Sequence, residues 1–217
     1  MHVVIRPAVM EDALAVFEIK EHLRLKLEEL DSKQNGGFLL GTSLEEYKKF
    51  IQNDLVLVAE CDQPEKVVGF AIVIRHETLA QSTLMQRSAQ VNWETSFRLR
   101  FHARRIAFFE QLGVLPEPAY RVYAKYLAFL ITQQVLQTHE ALFTTVLQFP
   151  FVNTAALPFI KIAGFELVGA VDEIYPEYGR IKSDVYHLER KDFENSIEQP
   201  RFKIFLKRVG CLGYLQQ

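Results

Sequence analysis

Residues Phe151 to Gly169, FVNTAALPFIKIAGFELVG, constrain the chain more than any other stretch, because they mark a helix start, a helix stop and the strand behind it. Asn153 is of the type whose short side chain caps the first free N–H groups of a helix. The apolar run after it ends at Gly164, which tolerates the left-handed backbone of a helix terminus. The spacing predicts a helix over 153–163 and a strand from Phe165 to Asp172. Pro158 falls within that helix, where the missing N–H costs up to ~3 kcal/mol unless the helix starts a residue or two late.

The flanking segments read as alternating strands and helices. Val3 to Arg6 is a β-branched strand stopped by Pro7. Ala13, Leu14, Phe17, Leu23, Leu27 and Leu30 recur at helical spacings, which predicts one or two helices up to Leu30, with a loop over 31–41 around Gly36 and Gly37. Ser43 with Glu46 three residues on is a capping box that opens the next helix. Leu55 to Glu60 and Val67 to Ile74 flank CDQPEK and predict an antiparallel pair. Residues 75–102, rich in Gln, Ser, Arg and Thr, read as a partly helical insertion.

Ile106 to Val114 is the next strand, ended by Leu115-Pro116-Glu117-Pro118, since no sheet interior tolerates two such prolines. Ala124 to His139 has few charges and reads as a helix pressed onto a sheet, and Ala141 to Gln148 as the strand after it. Strand, helix and strand in that order predict a right-handed crossover with parallel pairing. A turn at Tyr175 to Gly179 leads to a last strand at Lys182 to Glu189. Residues 191–217 form a C-terminal extension with a basic amphipathic piece around Arg201 to Arg208. The expected class is α/β with a mixed sheet, antiparallel at first and closed by a β-α-β crossover, in a single domain over 1–190.

Composition narrows the function classes. A net charge of −2 over 217 residues offers no global grip on phosphates, so no nucleic-acid partner is expected. Cys61 and Cys211 are the only cysteines, too few and too far apart for a disulfide framework or a zinc site, which suits a reducing compartment. The N-terminus lacks a signal-peptide pattern and no window approaches the ~18 apolar residues of a membrane span, so a cytoplasmic protein without a membrane partner is expected. The six histidines have no metal-ligand spacing, and no Gly-x-Ser-x-Gly elbow, phosphate loop or dinucleotide fingerprint is present.

The element order from Val3 to Glu189, with the Asn153 to Gly169 punctuation, resembles the GNAT-type N-acetyltransferase superfamily, in which an Asn opens this helix and Gly-Phe closes it. The resemblance implies a GNAT-like fold, acetyl-CoA or another acyl-CoA as donor substrate, no metal, and direct transfer to a primary amine of a small molecule, peptide or protein. A homodimer is also in keeping with the family. The family's pyrophosphate site is an Arg or Gln, two residues, Gly, one residue, then Gly or Ala, at the start of the helix after the splayed strand. Here the aligned residues are Arg121, Val122, Tyr123, Ala124, Lys125 and Tyr126. Arg121 matches, Ala124 is a small substitute for the first Gly, and Tyr126 departs from the pattern. Unpaired N–H groups and the helix dipole favour an anion at such a place. The resemblance further implies that the strand bearing Leu112 and Val114 offers a backbone N–H to the thioester carbonyl. Asn153 would then contact the pantetheine or acceptor side.

Acyl transfer to an amine needs the amine deprotonated, the carbonyl polarised and the thiolate protonated. Glu110 is the candidate base, directly or through a water, because strand alternation puts it on the face of Val114 four residues on. Many family members carry a proton-donating Tyr seven residues after the Asn, and Ile160 stands there. Phe38 and Tyr175 are candidate acceptor contacts, with Trp93, Phe97 and Tyr178 as further aromatics. Arg98, Arg100, His102, Arg104 and Arg105 form a basic run that reads as a solvated face or an anion contact. Tyr126 and Ile160 leave an alternative open, a non-catalytic GNAT-like module that senses CoA or binds a protein.

Overall fold

The computed structural model describes residues 3–24, 41–62, 65–94, 97, 104–175 and 179–209. Phe38 and its Asn35 to Gly37 loop, Arg98, Arg100, His102 and Tyr178 lie outside them.

One mixed sheet organises these residues. Its strands are β1 (Val3–Pro7), β2 (Leu55–Asp62), β3 (Glu65–Ile74), β4 (Asn92–Trp93), β5 (Ile106–Val114), β6 (Ala141–Phe149), β7 (Glu166–Tyr175) and β8 (Gly179–Glu189). They lie in the order β1-β2-β3-β5-β6-β8-β7-β4. Among the described residues β5 and β6 form the parallel pair and every other neighbouring pair is antiparallel. The helices are α1 (Ala13–His22), α2 (Leu44–Asn53), α3 (His76–Gln81), α4 (Thr83–Arg87), α5 (Arg121–Leu136), α6 (Leu157–Ala163), α7 (Arg190–Glu198) and α8 (Pro200–Val209). The fold is therefore the expected mixed α/β sheet with a β5-α5-β6 crossover.

Local chemistry explains the element ends. Ser43 Oγ accepts from the Glu46 N–H at 3.2 Å and Glu46 Oε2 accepts from the Ser43 N–H at 2.8 Å, which closes the capping box of α2. Gly164, at φ 91°, ends α6 in the left-handed region. The start of α6 differs from the expected Asn153. Residues 154–156 form a turn, and the helix begins at Leu157 with Ala156 as its cap residue and no side-chain cap bond. Pro158 accounts for the shift, because its missing N–H is harmless only in the first helical turn. α5 starts at Arg121, three residues ahead of the expected Ala124, and β7 starts at Glu166 and runs to Tyr175.

The sheet is covered on both faces. α1 and α2 pack on one face of its first half, where Val16, Ile19 and Tyr47 meet Val56, Val58, Phe70 and Ile72. The 75–97 segment covers the second half on that same side through Leu79 and Phe97, against Phe143, Val171 and Val185. It is attached by β4, which pairs with β7 at Gly169 and Ala170. Gly169 permits that contact, since a Cβ there would lie 2.9 Å from the Asn92 carbonyl oxygen.

The opposite face carries α5 through α8. Phe129 of α5 meets Phe193 of α7 and Phe202 of α8 at ring separations of 6.2 and 5.9 Å. The basic amphipathic piece at 201–208 thus lies within α8, with Phe202 and Leu206 fully buried in the main core. Burial of that kind predicts that Phe202→Ala costs about 3–5 kcal/mol of unfolding free energy in a urea titration. Ile204→Ala, at a side chain 52% exposed on the same helix, should change it by less than about 0.5 kcal/mol.

Candidate functional site

Where β5 and β6 part company, the sheet opens. They pair from Ile106 with Ala141 to Phe109 with Thr144, and the Thr144 hydroxyl donates to the Phe109 carbonyl at 3.0 Å at the last rung. Beyond it β5 stays with β3 as far as Val114, and β6 stays with β8 as far as Phe149. Main-chain groups of residues 110–114 on the β6 side therefore have no neighbouring strand. The closed end is held firmly. The Arg105 N–H donates to Glu140 Oε2 at 2.9 Å and the Glu140 N–H to the Arg105 carbonyl at 2.8 Å. Buried His139 accepts the His76 N–H on Nε2 at 3.2 Å, and Arg190 donates twice to its carbonyl. Burial lowers the His139 pKa, so the ring stays neutral and keeps its role as acceptor.

The cleft passes through the sheet, with a volume of about 2040 Å³. Leu112, Val114, Arg121, Ala124, Lys125, Ala128 and Ile160 line it from the α5 side. Glu110, Gln111, Arg87, Glu173 and Tyr175 line it from the other. Val122, Tyr123 and Tyr126 are not among its lining residues. They pack against the main core, and the Tyr123 and Tyr126 rings stack at 5.8 Å.

Glu110 sits on a β-bulge, which corrects the expectation that it shares a face with Val114. Ile72 pairs with Gln111 while Val73 pairs with Phe109, so Glu110 is the extra residue. Leu112 and Val114 pack toward the α5 core, whereas Gln111 reaches Tyr47 of α2 on the opposite face. Gln111 is pinned there, accepting from the Tyr47 hydroxyl at 2.7 Å and donating to Thr42 Oγ1 at 2.9 Å. Glu110 lies beside it in the field of Glu46 and Arg87, and so on the side away from α5. Burial pushes its carboxyl up to about 7, while hydrogen bonding from Gln111 and the positive charge of Arg87 hold it below what burial alone would give. Near pH 7 the group is divided between its two protonation states, the condition under which a carboxylate both accepts and returns a proton.

The start of α5 offers a second arrangement. Arg121, Ala124, Lys125 and Ala128 follow helical spacing along one strip, two methyl groups beside two exposed cationic residues. Acidic residues are absent from this first turn and no side chain caps it. The Ala124 and Ala128 strip is legible in the sequence only once the helix phase is known.

Asn153 lies in the turn region ahead of α6 and lines the cleft. Its N–H donates to the Leu147 carbonyl at 3.0 Å, and its enclosed Oδ1 has no partner among the described residues. Ile160 is 7% exposed and belongs to the core. Tyr175 is the one tyrosine lining the cleft among the described residues. Its hydroxyl donates to Glu173 Oε2 at 3.2 Å and accepts from Arg87 Nη1 at 3.1 Å. Arg87, at the end of α4, had no sequence signal, because a single Arg in a polar segment is the commonest of surface residues. Among the described residues no group of three His, Cys, Asp or Glu could hold a metal, and no helix is long and apolar enough to cross a membrane.

No protein-family profile and no curated protein matches the chain. Solved structures do. Arabidopsis thaliana NAA60 in complex with a bisubstrate analogue superposes with a TM-score of 0.59 at 14% identity, over 87% of this chain and 98% of that one. A ribosomal-protein-alanine N-acetyltransferase from Brucella melitensis gives 0.53 at 16% identity, over 86% and 99%. A GCN5-related N-acetyltransferase from Kribbella flavida gives 0.54 at 15%, over 86% and 97%. The fold is that of the GNAT-type N-acetyltransferases.

The raised Glu110 pKa carries a stability signature. Its folded value lies above the ordinary carboxylate range, so the folded state binds the proton more tightly and loses stability as pH rises from about 4.5 to about 7. Glu110→Gln is therefore expected to raise the melting temperature at pH 8 and to change it little at pH 4, as read by thermal denaturation across that range.

Proposed function

We propose, from the fold of the GNAT-type N-acetyltransferases and the cleft it opens, that the protein is an acyl-CoA-dependent N-acyltransferase. Acetyl-CoA would be the donor and a primary amine the acceptor. The observation that carries this reading is Glu110, a carboxyl with a pKa of about 7 on a bulge at the point where β5 leaves β6. Two superposing structures support the donor, since Arabidopsis thaliana NAA60 has been solved with acetyl-CoA and a NatC complex with CoA.

The residues divide the work by face. On the α5 side, Arg121 and Lys125 supply charge, the free N–H groups of the helix start supply donors, and Ala124 and Ala128 leave room for a phosphate chain. Free main-chain N–H groups along 110–114 are suited to polarise the thioester carbonyl, Leu112 and Val114 flanking its path. Asn153 lines the same opening, where it would border the pantetheine arm.

From the other side comes the amine. Glu110 takes its proton, directly or through water, the nitrogen attacks the carbonyl carbon, the C–S bond breaks, and the thiolate takes a proton from solvent because Ile160 has none to give. Tyr175 borders the acceptor. A cleft of about 2040 Å³ exceeds the ~300–1,000 Å³ of a single small-ligand pocket, which suits two substrates meeting from opposite faces. A cytoplasmic setting suits both the donor and Cys61, a buried thiol outside any disulfide among the described residues.

The acyltransferase reading is favoured over a binding module by Tyr126, whose ring stacks on Tyr123 and does not line the cleft. Calorimetry with acetyl-CoA should show one site per chain, and Ala124→Phe should weaken it about tenfold or more by filling the strip with a ring. With an accepted amine, kcat/KM should rise with pH through about 7 as Glu110 ionises, and Glu110→Gln should lower it about 10²- to 10⁴-fold while acetyl-CoA still binds. A Glu110→Gln variant that matches the wild-type rate at every pH would reject the base, and absence of acetyl-CoA binding at millimolar concentration would reject the enzyme.

A further inference from the structure

The acceptor side of the cleft holds an arginine whose best hydrogen-bonding edge is unused. Arg87 ends α4 and lines the cleft with Glu110, Glu173 and Tyr175. Its contacts with the described residues are made through Nη1, which donates to the Tyr175 hydroxyl at 3.1 Å and lies 3.4 Å from Glu173 Oε1, with the Tyr175 ring 5.9 Å from the guanidinium carbon. Tyr175 in turn donates to Glu173, so one tyrosine and one carboxylate hold the guanidinium from a single side. Nε and Nη2 make no hydrogen bond or ion pair with a described residue, and the side chain is 43% exposed where Arg87 lines the cleft.

An arginine fork with two parallel N–H groups free matches a carboxylate in bidentate geometry, whereas a lone amine or a neutral amide offers it no comparable partner. Glu110 stands on the same side of the cleft and within electrostatic reach of Arg87. The pair presents an acceptor with one negative and one positive site.

We propose that the acceptor is an aminocarboxylate, a small molecule bearing a free carboxylate and a primary amine. Its carboxylate lies on the Nε/Nη2 edge of Arg87 and its amine at Glu110. This deepens the acyltransferase reading and rests on it. It places the protein's acceptors among amino acids and disfavours a polypeptide N-terminus, whose α-amine neighbours a neutral peptide bond. Arg87 is then a specificity-determining residue carried by the 75–97 segment, and Tyr175 and Glu173 position it.

The test uses the full chain, acetyl-CoA, and a panel of α-, β- and γ-amino acids, each paired with its own amide, with thiol release as the readout. The favoured amino acid should exceed its amide in kcat/KM by about ten- to a hundredfold, carried mainly by KM, as expected of one charge-assisted bidentate contact. Arg87→Gln should bring that ratio close to one when amino acid and amide are compared in the same variant at a pH well above the Glu110 ionisation, where the lost Arg87 charge no longer alters the base, and Arg87→Lys should keep part of the ratio. Amides or peptides used as well as free amino acids would overturn the proposal, as would a ratio that survives Arg87→Gln. Binding of acetyl-CoA with turnover of amines lacking carboxylates would overturn it too and leave the acyltransferase reading standing. Failure to bind acetyl-CoA at all would remove that reading and this inference together.

Discussion

Everything at the candidate site depends on where the β5–β6 pairing stops. Four rungs of parallel ladder, closed by the Thr144 hydroxyl on the Phe109 carbonyl, give way to two strands that each keep their other neighbour. Because β3 and β8 continue to satisfy the outer edges, the inner edges can separate without unravelling the sheet. Below the last rung, the His139 and Arg105–Glu140 contacts keep the strands together, so the opening is wedge-shaped and directional. The helix that crosses between the strands begins at the wide end of that wedge, where Arg121, Ala124 and Lys125 line the cleft.

The bulge at Glu110 turns this opening into a place where chemistry has two sides. A regular strand would have sent Glu110 toward α5 with Leu112 and Val114, into the path of anything lying along that face. One extra residue sends it the other way, next to Gln111, whose bonds to Tyr47 and Thr42 prevent the bulge from sliding along the strand. Burial then sets the carboxyl near neutrality, and Arg87 from a separate segment moderates it. Strand geometry, helix α2 and the 75–97 segment thus converge on one ionisable group.

Much of this was legible in the sequence. Strong period-two and period-3.6 patterns, with Ser43–Glu46, Pro116–Pro118 and Gly164 as punctuation, located nearly every element within a few residues, because each rests on local chemistry. What escaped is non-local. A bulge depends on the register of two strands far apart in sequence, so alternation counted from Val114 put Glu110 on the wrong face. Asn153 looked like a cap because Asn is a favoured cap residue, but the constraint at Pro158 set the helix start, and Asn153 was left ahead of it as a residue lining the cleft. Arg87, Tyr175 and Glu173 meet only after α4 and β7 fold together, and Ala124 and Ala128 matter only in the phase that α5 adopts. Phe202 and Leu206 read only as part of a basic amphipathic piece, and the main core they enter, with Phe129 and Phe193 against Phe202, is assembled from distant segments.

On the proposed function, main-chain groups along the unpaired edge of β5 receive the acyl donor. Amide hydrogen exchange measured residue by residue with and without acetyl-CoA tests it most directly. Protection rising about tenfold or more along residues 110–114 and at the first turn of α5, with the β2–β3 amides unchanged, is the result the account predicts. Saturating acetyl-CoA that leaves the β5 edge exchanging as fast as before would contradict it.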